Sequence, residues 1–294
     1  VIKYLIEDLK MDINYKNNGG ENCLMMACMS NNIEIVKYLI EEKKVNMGYK
    51  DDNGNNYLIK SSSPGNLEII KYLIEDCKID INYKNNYEYN CLMYACRDNN
   101  NTKVIKYFIE EKNMDIDITD KYSINCLLLA SMNKNLEIIK YLIEEKKMDM
   151  NHQTIYGNNC LLIAIRHNNK QIIKYLIKTC GINKDHKNNY GDNCLMVACM
   201  SGNIEIAKYL IEEENIDINY KNNESNNCLI KSVQSENLEI MKYLVDKCGM
   251  DIEYKNNNGY NCLMYACIIS NLETIKYLIE EKNMNINSKD KKLN

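Results

Sequence analysis

Fourteen cysteines are the residues of this 294-residue chain most suited to chemistry, since thiolates bind metals, form disulfides and act as nucleophiles. They form three sets with regular spacing. Each member of the first set directly follows an asparagine. Members of the second set come five residues later, and members of the third follow a separate apolar segment. The sets are Cys23, Cys91, Cys126, Cys160, Cys194, Cys228 and Cys262; then Cys28, Cys96, Cys199 and Cys267; then Cys77, Cys180 and Cys248.

The spacing of these thiols argues against a metal or disulfide site. Residues i and i+5 of a helix point about 140° apart, and Cys-x4-Cys differs from the usual Cys-x2-Cys spacing of zinc sites. Stacked helices lie about 8–10 Å apart, whereas disulfides need Cα separations below about 7 Å. We therefore expect small buried hydrophobes in a reducing compartment, with no metal and no cofactor. A few reactive thiols at helix N termini are the alternative.

The histidines do not complete a catalytic set. His152 and His186 occupy a position that recurs along the chain at regular spacing, and five tyrosines occupy the same position. A position shared with tyrosine favours packing over catalysis. No Cys/His/Asp or Ser/His/Asp constellation and no Gly-rich phosphate loop stands out in the sequence. We therefore predict that the chain is not an enzyme. The five tyrosines are Tyr15, Tyr49, Tyr83, Tyr220 and Tyr254.

Charge and hydropathy narrow the classes of partner. The chain has 37 basic and 41 acidic residues and a net charge of -4, which gives no bias toward nucleic acid or anionic membranes. No stretch reaches the roughly 18 apolar residues of a membrane-spanning helix. We expect a cytoplasmic protein that binds neither nucleic acid nor membrane. Because the chain opens at Val1 without an initiator methionine, we also expect it to be a fragment of something longer.

An internal repeat organises all of these residues. Lys-Tyr-Leu-Ile, or a close variant, recurs every 34 residues with one interval of 35. Asn-Cys-Leu recurs with the same spacing. The pattern predicts a single array over 1–294 instead of two domains. We place a partial repeat at 1–17 and eight full repeats at about 18–51, 52–85, 86–120, 121–154, 155–188, 189–222, 223–256 and 257–290.

Each repeat predicts two short helices. In the sixth copy Asn193 is suited to cap a first helix that ends near residues 201–203, where Gly and Asn favour termination. Apolar residues at i, i+3 and i+4 spacing then predict a second helix over 204–213. Its Lys and Glu residues indicate a solvated face with i, i+4 pairing. Helices of about 8 and 10 residues followed by a long Asn/Gly turn exclude the paired helices of a tetratricopeptide repeat.

These residues resemble the ankyrin repeat over essentially the whole chain. Asp12-Ile13-Asn14 and Gly20 hold its hairpin positions, residues 22–28 its Thr-Pro-Leu-His-x-Ala-Ala block, and residues 35–40 its second helix. Asn replaces the Thr cap of the family, and we expect it to cap each helix at about 1 kcal/mol. The resemblance implies an all-α ankyrin-repeat solenoid with short β-hairpin tips, acting as a monomeric scaffold for protein binding.

The Asn/Lys/Ile/Tyr-rich composition is similar to that of ankyrin arrays of giant viruses of amoebae and of AT-rich amoeboid protists. For a viral protein, this similarity implies a host protein as partner and the host cytoplasm as location. The partner itself is not identified by the sequence. One alternative function is the recognition segment of a larger enzyme or of a ubiquitin-ligase adaptor whose other domain lies outside this sequence. Another is a purely structural spacer.

The resemblance also implies a binding surface. Ankyrin arrays usually bind partners on the concave face, built from hairpin tips and the outer edge of the first helix. The matching variable positions carry tyrosines and both arginines of the chain, residue types enriched at binding hot spots. The alternative is coincidence, because tyrosine is common throughout this chain. The predicted partner-binding residues are Tyr87, Tyr89, Arg97, Tyr122, Tyr156, Arg166, His167 and Tyr190.

Two repeats depart from the pattern together. The second carries Lys60-Ser61 and the seventh Lys231-Ser232, where the other copies have an apolar residue followed by alanine. Repeats contact only their neighbours. We therefore expect weaker packing at the joints that these two repeats form.

Overall fold

The computed structural model describes residues 6–10, 12–30, 32–98, 102–235 and 237–285. Parts of the predicted partial repeat and of the predicted last repeat lie outside these ranges. So does part of the one 35-residue interval, near residue 100. The chain divides into two compact units, Val1–Asp149 and Met150–Asn294, and the described residues of each form four helix pairs. The single array predicted for 1–294 and its repeat boundaries stay predictions.

In the described part of the first unit a first helix is followed by a second helix four times. Its first helices are α1 (Cys23–Met29), α3 (Tyr57–Ser62), α5 (Cys91–Asp98) and α7 (Cys126–Ser131). Its second helices are α2 (Ile33–Lys37), α4 (Leu67–Glu75), α6 (Thr102–Lys106) and α8 (Leu136–Lys140). All of these except α4 continue into a π-helical turn, at Tyr38–Glu42, Tyr107–Glu111 and Tyr141–Glu145.

The second unit repeats this order. Its first helices are α9 (Cys160–Arg166), α11 (Cys194–Met200), α13 (Cys228–Val233) and α15 (Cys262–Ile268). Its second helices are α10 (Lys170–Lys174), α12 (Ile204–Lys208), α14 (Leu238–Lys242) and α16 (Leu272–Lys276). They end in the π-helical turns Tyr175–Thr179, Tyr209–Glu213, Tyr243–Lys247 and Tyr277–Glu281. In both units, first helices of successive repeats contact each other, which confirms the predicted all-α repeat fold.

All eight first helices begin on an asparagine cap, as predicted. The Asn193 Oδ1 accepts a hydrogen bond from the Met196 backbone N–H at 3.0 Å, which satisfies one of the donors left open by the first turn. The second helix of this repeat, with its π-helical turn, spans the predicted residues 204–213. The same cap is formed by Asn22, Asn56, Asn90, Asn125, Asn159, Asn227 and Asn261.

Apolar side chains of both helices form the core of each unit. In the sixth repeat Leu195 and Cys199 of α11 are buried, as are Ile206 and Ala207 of α12 and Leu210 of the turn that follows it. Burying a side chain the size of leucine contributes about 1.5–3 kcal/mol. The i, i+3, i+4 spacing of the second helix therefore directs its apolar face onto the first helix, as the sequence predicts.

The loops between successive helix pairs, here called tip loops, contain no strand in the described parts of the chain. The predicted β-hairpins are not confirmed: the structure has one isolated antiparallel bridge, between Lys16 and Asn22. A side chain and one backbone hydrogen bond close each loop. The Asn17 Oδ1 accepts from the backbone N–H groups of Gly19 and Glu21, both at 2.9 Å, and the Asn17 backbone N–H donates to the Glu21 carbonyl at 3.0 Å.

The joints expected to pack weakly contain buried ion pairs. The Lys231 Nζ lies 3.0 Å from the Asp192 Oδ2, with only 11% and 4% of the two side chains exposed. In the first unit Lys60 pairs with Glu21, and this hydrogen bond lowers the pKa of the Glu21 carboxyl. The lysine that breaks the apolar pattern thus meets an acidic residue of the preceding repeat.

We expect the Lys231→Met variant to lose about 3 kcal/mol of unfolding free energy, because it leaves the Asp192 carboxylate buried without a cation. The double variant with Asp192→Asn should recover most of that loss. Urea unfolding measures both.

The matched control is Lys170→Met, which removes the exposed pair between Lys170 and Glu205 at 3.2 Å. It should cost less than about 1 kcal/mol. A loss as small for Lys231→Met as for this control would contradict the account.

Candidate functional site

The surface predicted to bind a partner is built from the tip loops and the C-terminal ends of the first helices; we call it the tip surface. Its loops are held by their own first side chain. In the sixth repeat the Asn188 Oδ1 accepts from the backbone N–H groups of Tyr190 at 3.0 Å and Asp192 at 2.9 Å. The backbone of Tyr190 is therefore fixed within the loop, while its side chain is 56% exposed.

Neighbouring tip loops also bond to each other. The Asn189 backbone N–H donates to the Tyr156 carbonyl at 3.0 Å, and the Asn223 backbone N–H donates to the Tyr190 carbonyl at 3.2 Å. Gly191 has a φ of +77°, and a Cβ there would meet the Asn223 Oδ1 at 2.4 Å. Glycine thus permits the close approach of the loops, and the tyrosines project from a stacked, hydrogen-bonded base.

In the first unit Arg97 is already occupied. Its Nε and Nη2 donate to the two carboxylate oxygens of Asp98 at 2.7 and 2.6 Å. Its guanidinium carbon lies 4.3 Å from the ring centre of Tyr94 and 5.9 Å from that of Tyr89. The side chain is therefore neutralised and stacked within its own repeat.

The other predicted residues of the first unit have separate environments. Tyr89 is half-buried, and its burial raises the pKa of the phenol to about 12. Tyr87 is 48% exposed and its hydroxyl donates to the Asn53 Oδ1 of the preceding repeat at 3.1 Å. Tyr122 is 39% exposed, on the next tip loop. The structure brings Tyr89 and Arg97 together with Tyr94, which the sequence analysis had not singled out.

In the second unit three predicted residues line one groove. Tyr156, Arg166 and Tyr190 surround a concavity of about 400 Å³. Arg166 is exposed at the end of α9, and the exposed fractions of Tyr156 and Tyr190 are 44% and 56%. The groove is completed by Asn158, Asn188, Asp192, Met200 and Lys231.

His167, the fourth predicted residue of this unit, caps the end of α9 and does not line the groove. Partial desolvation and the charge of Arg166 lower the pKa of its imidazole. Sequence reasoning missed the other five groove residues, which are Asn158, Asn188, Met200, Asp192 and Lys231. A signal existed for the last two, because Glu21 and Asp192 hold the same position in the repeats that precede Lys60 and Lys231.

Burial of the cysteines is confirmed for most of them. Six of the seven in the first set are buried and Cys23 is partly buried. Where we expected burial, the three cysteines of the third set are only partly buried and Cys267 of the second set is exposed. Burial raises the pKa of the Cys194 and Cys262 thiols to about 12. Cys96 and Cys126 also contact each other, and their hydrogen bond raises the pKa of Cys96 well above its usual range.

The tyrosine column that includes two histidines packs along the tips, as predicted. The Tyr220 hydroxyl donates to the Gly191 carbonyl at 2.9 Å, and the Tyr83 hydroxyl to the Gly54 carbonyl at 2.7 Å. The His186 Nε2 lies 2.8 Å from the Gly157 carbonyl in the same place. Five members of the column make this bond and so join their repeat to the one before it: Tyr49, Tyr83, His186, Tyr220 and Tyr254.

Within the described ranges, no group of three or more His, Cys, Asp or Glu side chains is arranged to hold a metal ion. In the same residues, none of the helices combines the length and apolar character required to cross a bilayer.

The class of protein follows from this arrangement of capped helix pairs and tip loops together with the family comparison. The model for ankyrin repeats (3 copies) matches residues 1–85, 43–120, 77–154, 127–222 and 214–290. The matches cover nearly the whole chain, which therefore belongs to the ankyrin repeat family. Ankyrin repeats are generally protein–protein interaction modules. A search of the curated proteins found no match to this chain.

The thiols make a testable prediction. Iodoacetamide added to the native protein should modify Cys267 rapidly and Cys194 slowly, because Cys194 is buried and its raised pKa suppresses the thiolate. Peptide mass spectrometry over a time course measures both rates, with the urea-unfolded protein as control. Equal rates at the two cysteines in the native protein would refute the assigned burial.

Proposed function

We propose that this chain is a non-catalytic scaffold that binds a partner protein on its tip surface, which corresponds to the concave face of ankyrin arrays. The observation that carries the proposal is the groove of the second unit. Three residues chosen from the sequence as hot-spot types, Tyr156, Arg166 and Tyr190, line it together. Tyrosine and arginine dominate the energetics of many protein interfaces.

The geometry of the loops supports binding with little ordering cost. The Asn188 side chain and the bonds between successive loops already fix the backbone that carries Tyr156 and Tyr190. Tyrosine has few rotatable bonds, so its immobilisation costs little entropy. A preorganised surface loses less free energy on association than a flexible one.

We further propose that the scaffold is a monomer in the cytoplasm, or in the host cytoplasm with a host protein as partner if its source is viral. Its buried cysteines support a reducing compartment, because thiols that pack as hydrophobic residues function in the reduced state. The family to which the chain belongs supports a protein partner.

The test is capture of partners by proximity labelling with the full chain and with a variant carrying Tyr156→Ala, Arg166→Ala and Tyr190→Ala. These side chains are exposed, so we expect the variant to keep its circular dichroism spectrum and lose at least about tenfold of the captured partner.

The matched control carries Gln171→Ala, Glu205→Ala and Glu239→Ala, three exposed changes on second helices of the same unit. It should label the same partners as the unaltered chain. Equal labelling by the tip-surface variant would show that partners bind elsewhere.

A further inference from the structure

We propose that the groove of the second unit recognises an acidic segment of the partner, with one carboxylate of that segment bound by Arg166. The inference rests on the proposed function and names the chemistry of the partner. It follows from the state of the two arginines, from the charge of the groove and from the apolar surface beside it.

Arg166 offers an uncommitted cation. Within the described residues its guanidinium makes no salt bridge and no hydrogen bond, although it is exposed at the edge of the groove. A guanidinium presents its N–H donors in a planar fork that fits a carboxylate in two parallel hydrogen bonds. The two neighbouring tyrosines would shield such a pair from water and so strengthen it.

Arg97 holds the same repeat position, but its carboxylate partner comes from the chain itself. Asp98 follows it and supplies both carboxylate oxygens, and the ring of Tyr94 lies under its guanidinium. In the second unit His167 stands in place of Asp98 and supplies no carboxylate, and Ile163 stands in place of Tyr94 and supplies no aromatic face. The partner must therefore provide for Arg166 the carboxylate that Asp98 provides for Arg97.

The charge of the groove matches one carboxylate. Three of its lining residues are charged, and two of them neutralise each other: the Asp192 carboxylate accepts from Lys231 at 3.0 Å and from the Asn222 Nδ2 at 2.6 Å. Arg166 leaves a net charge of +1. A phosphate with nearly two negative charges would exceed this and lie near the Asp192 carboxylate.

The groove also predicts an apolar neighbour for the acidic residue. Met200 takes the place of Arg166 in the next repeat and lines the same concavity, beside the exposed ring of Tyr190. An aliphatic or aromatic side chain next to the carboxylate would bury apolar area there. The expected ligand is therefore a peptide segment that joins an aspartate or glutamate to an apolar residue.

A displayed library of random dodecapeptides, selected against the intact chain, supplies the probe. The enriched peptides are synthesised with a fluorophore, and their dissociation constants are measured by anisotropy for the unaltered chain, Arg166→Gln and the control Lys170→Gln, which changes an exposed cation on a second helix of the same unit. We expect a recurrent acidic residue whose amide replacement weakens binding by more than about tenfold. The same amide replacement should have no effect on Arg166→Gln, while Lys170→Gln should bind like the unaltered chain.

Other outcomes separate the two levels of the argument. If Arg166→Gln binds normally while Tyr156→Ala and Tyr190→Ala abolish binding, the acidic recognition is wrong and the proposed function stands. If binding survives all three changes, or no peptide is enriched, both are contradicted. Tighter binding of a peptide carrying phosphoserine in place of the acid would overturn the assignment of a carboxylate.

Discussion

The hydrogen bonds accepted by one side chain at the start of each tip loop are the constraint on which this structure depends. Each such side chain accepts from the backbone N–H groups two and four residues later, donors that a strand would otherwise pair. All eight loops of the described residues use it. The residues are Asn17, Asp51, Asn85, Asp120, Thr154, Asn188, Asn222 and Asn256.

The joints between repeats explain the unusual composition. A repeat buries its surfaces only against its neighbours, so each joint needs its own attachments. Tyrosines supply many of them: the Tyr141 hydroxyl donates to the Glu110 carboxylate of the preceding repeat at 2.9 Å, and the Lys106 Nζ lies 4.8 Å from the same ring. Asparagine adds a ladder at the tips, where the Asn256 Nδ2 donates to the Asn226 Oδ1 at 2.8 Å.

The 34-residue period of the sequence predicted the structure within each repeat. The asparagine cap, the two helices and the burial of most cysteines follow from local spacing, and each was confirmed. What lies between repeats was harder to predict. The ion pairs of the second helices were expected at i, i+4, but Lys71 pairs with Glu111 and Lys106 with Glu145, across the joint. Such pairs depend on which positions face each other after stacking, which the period does not specify.

The binding residues show the same division between local and spatial information. Their column predicted Tyr156, Arg166 and Tyr190, which share a groove, but it treated Arg97 and Arg166 as equivalent. Only the geometry distinguishes them, because Asp98 happens to reach the guanidinium of Arg97. The expected hairpins are not confirmed. In the sixth repeat one backbone hydrogen bond joins Asn188 and Asp192 across the loop, and the Asn188 side chain accepts from the N–H group of Asp192.

Hydrogen exchange of the tip-loop amides tests this account most directly. In the unaltered chain the amides of Tyr190 and Asp192 should exchange slowly, because both donate to the Asn188 Oδ1. In the variant Asn188→Ala both should exchange at least about tenfold faster, while the amides of α11 keep their protection. Equal exchange of Tyr190 and Asp192 in the two proteins would contradict the claim that this side chain holds the loop.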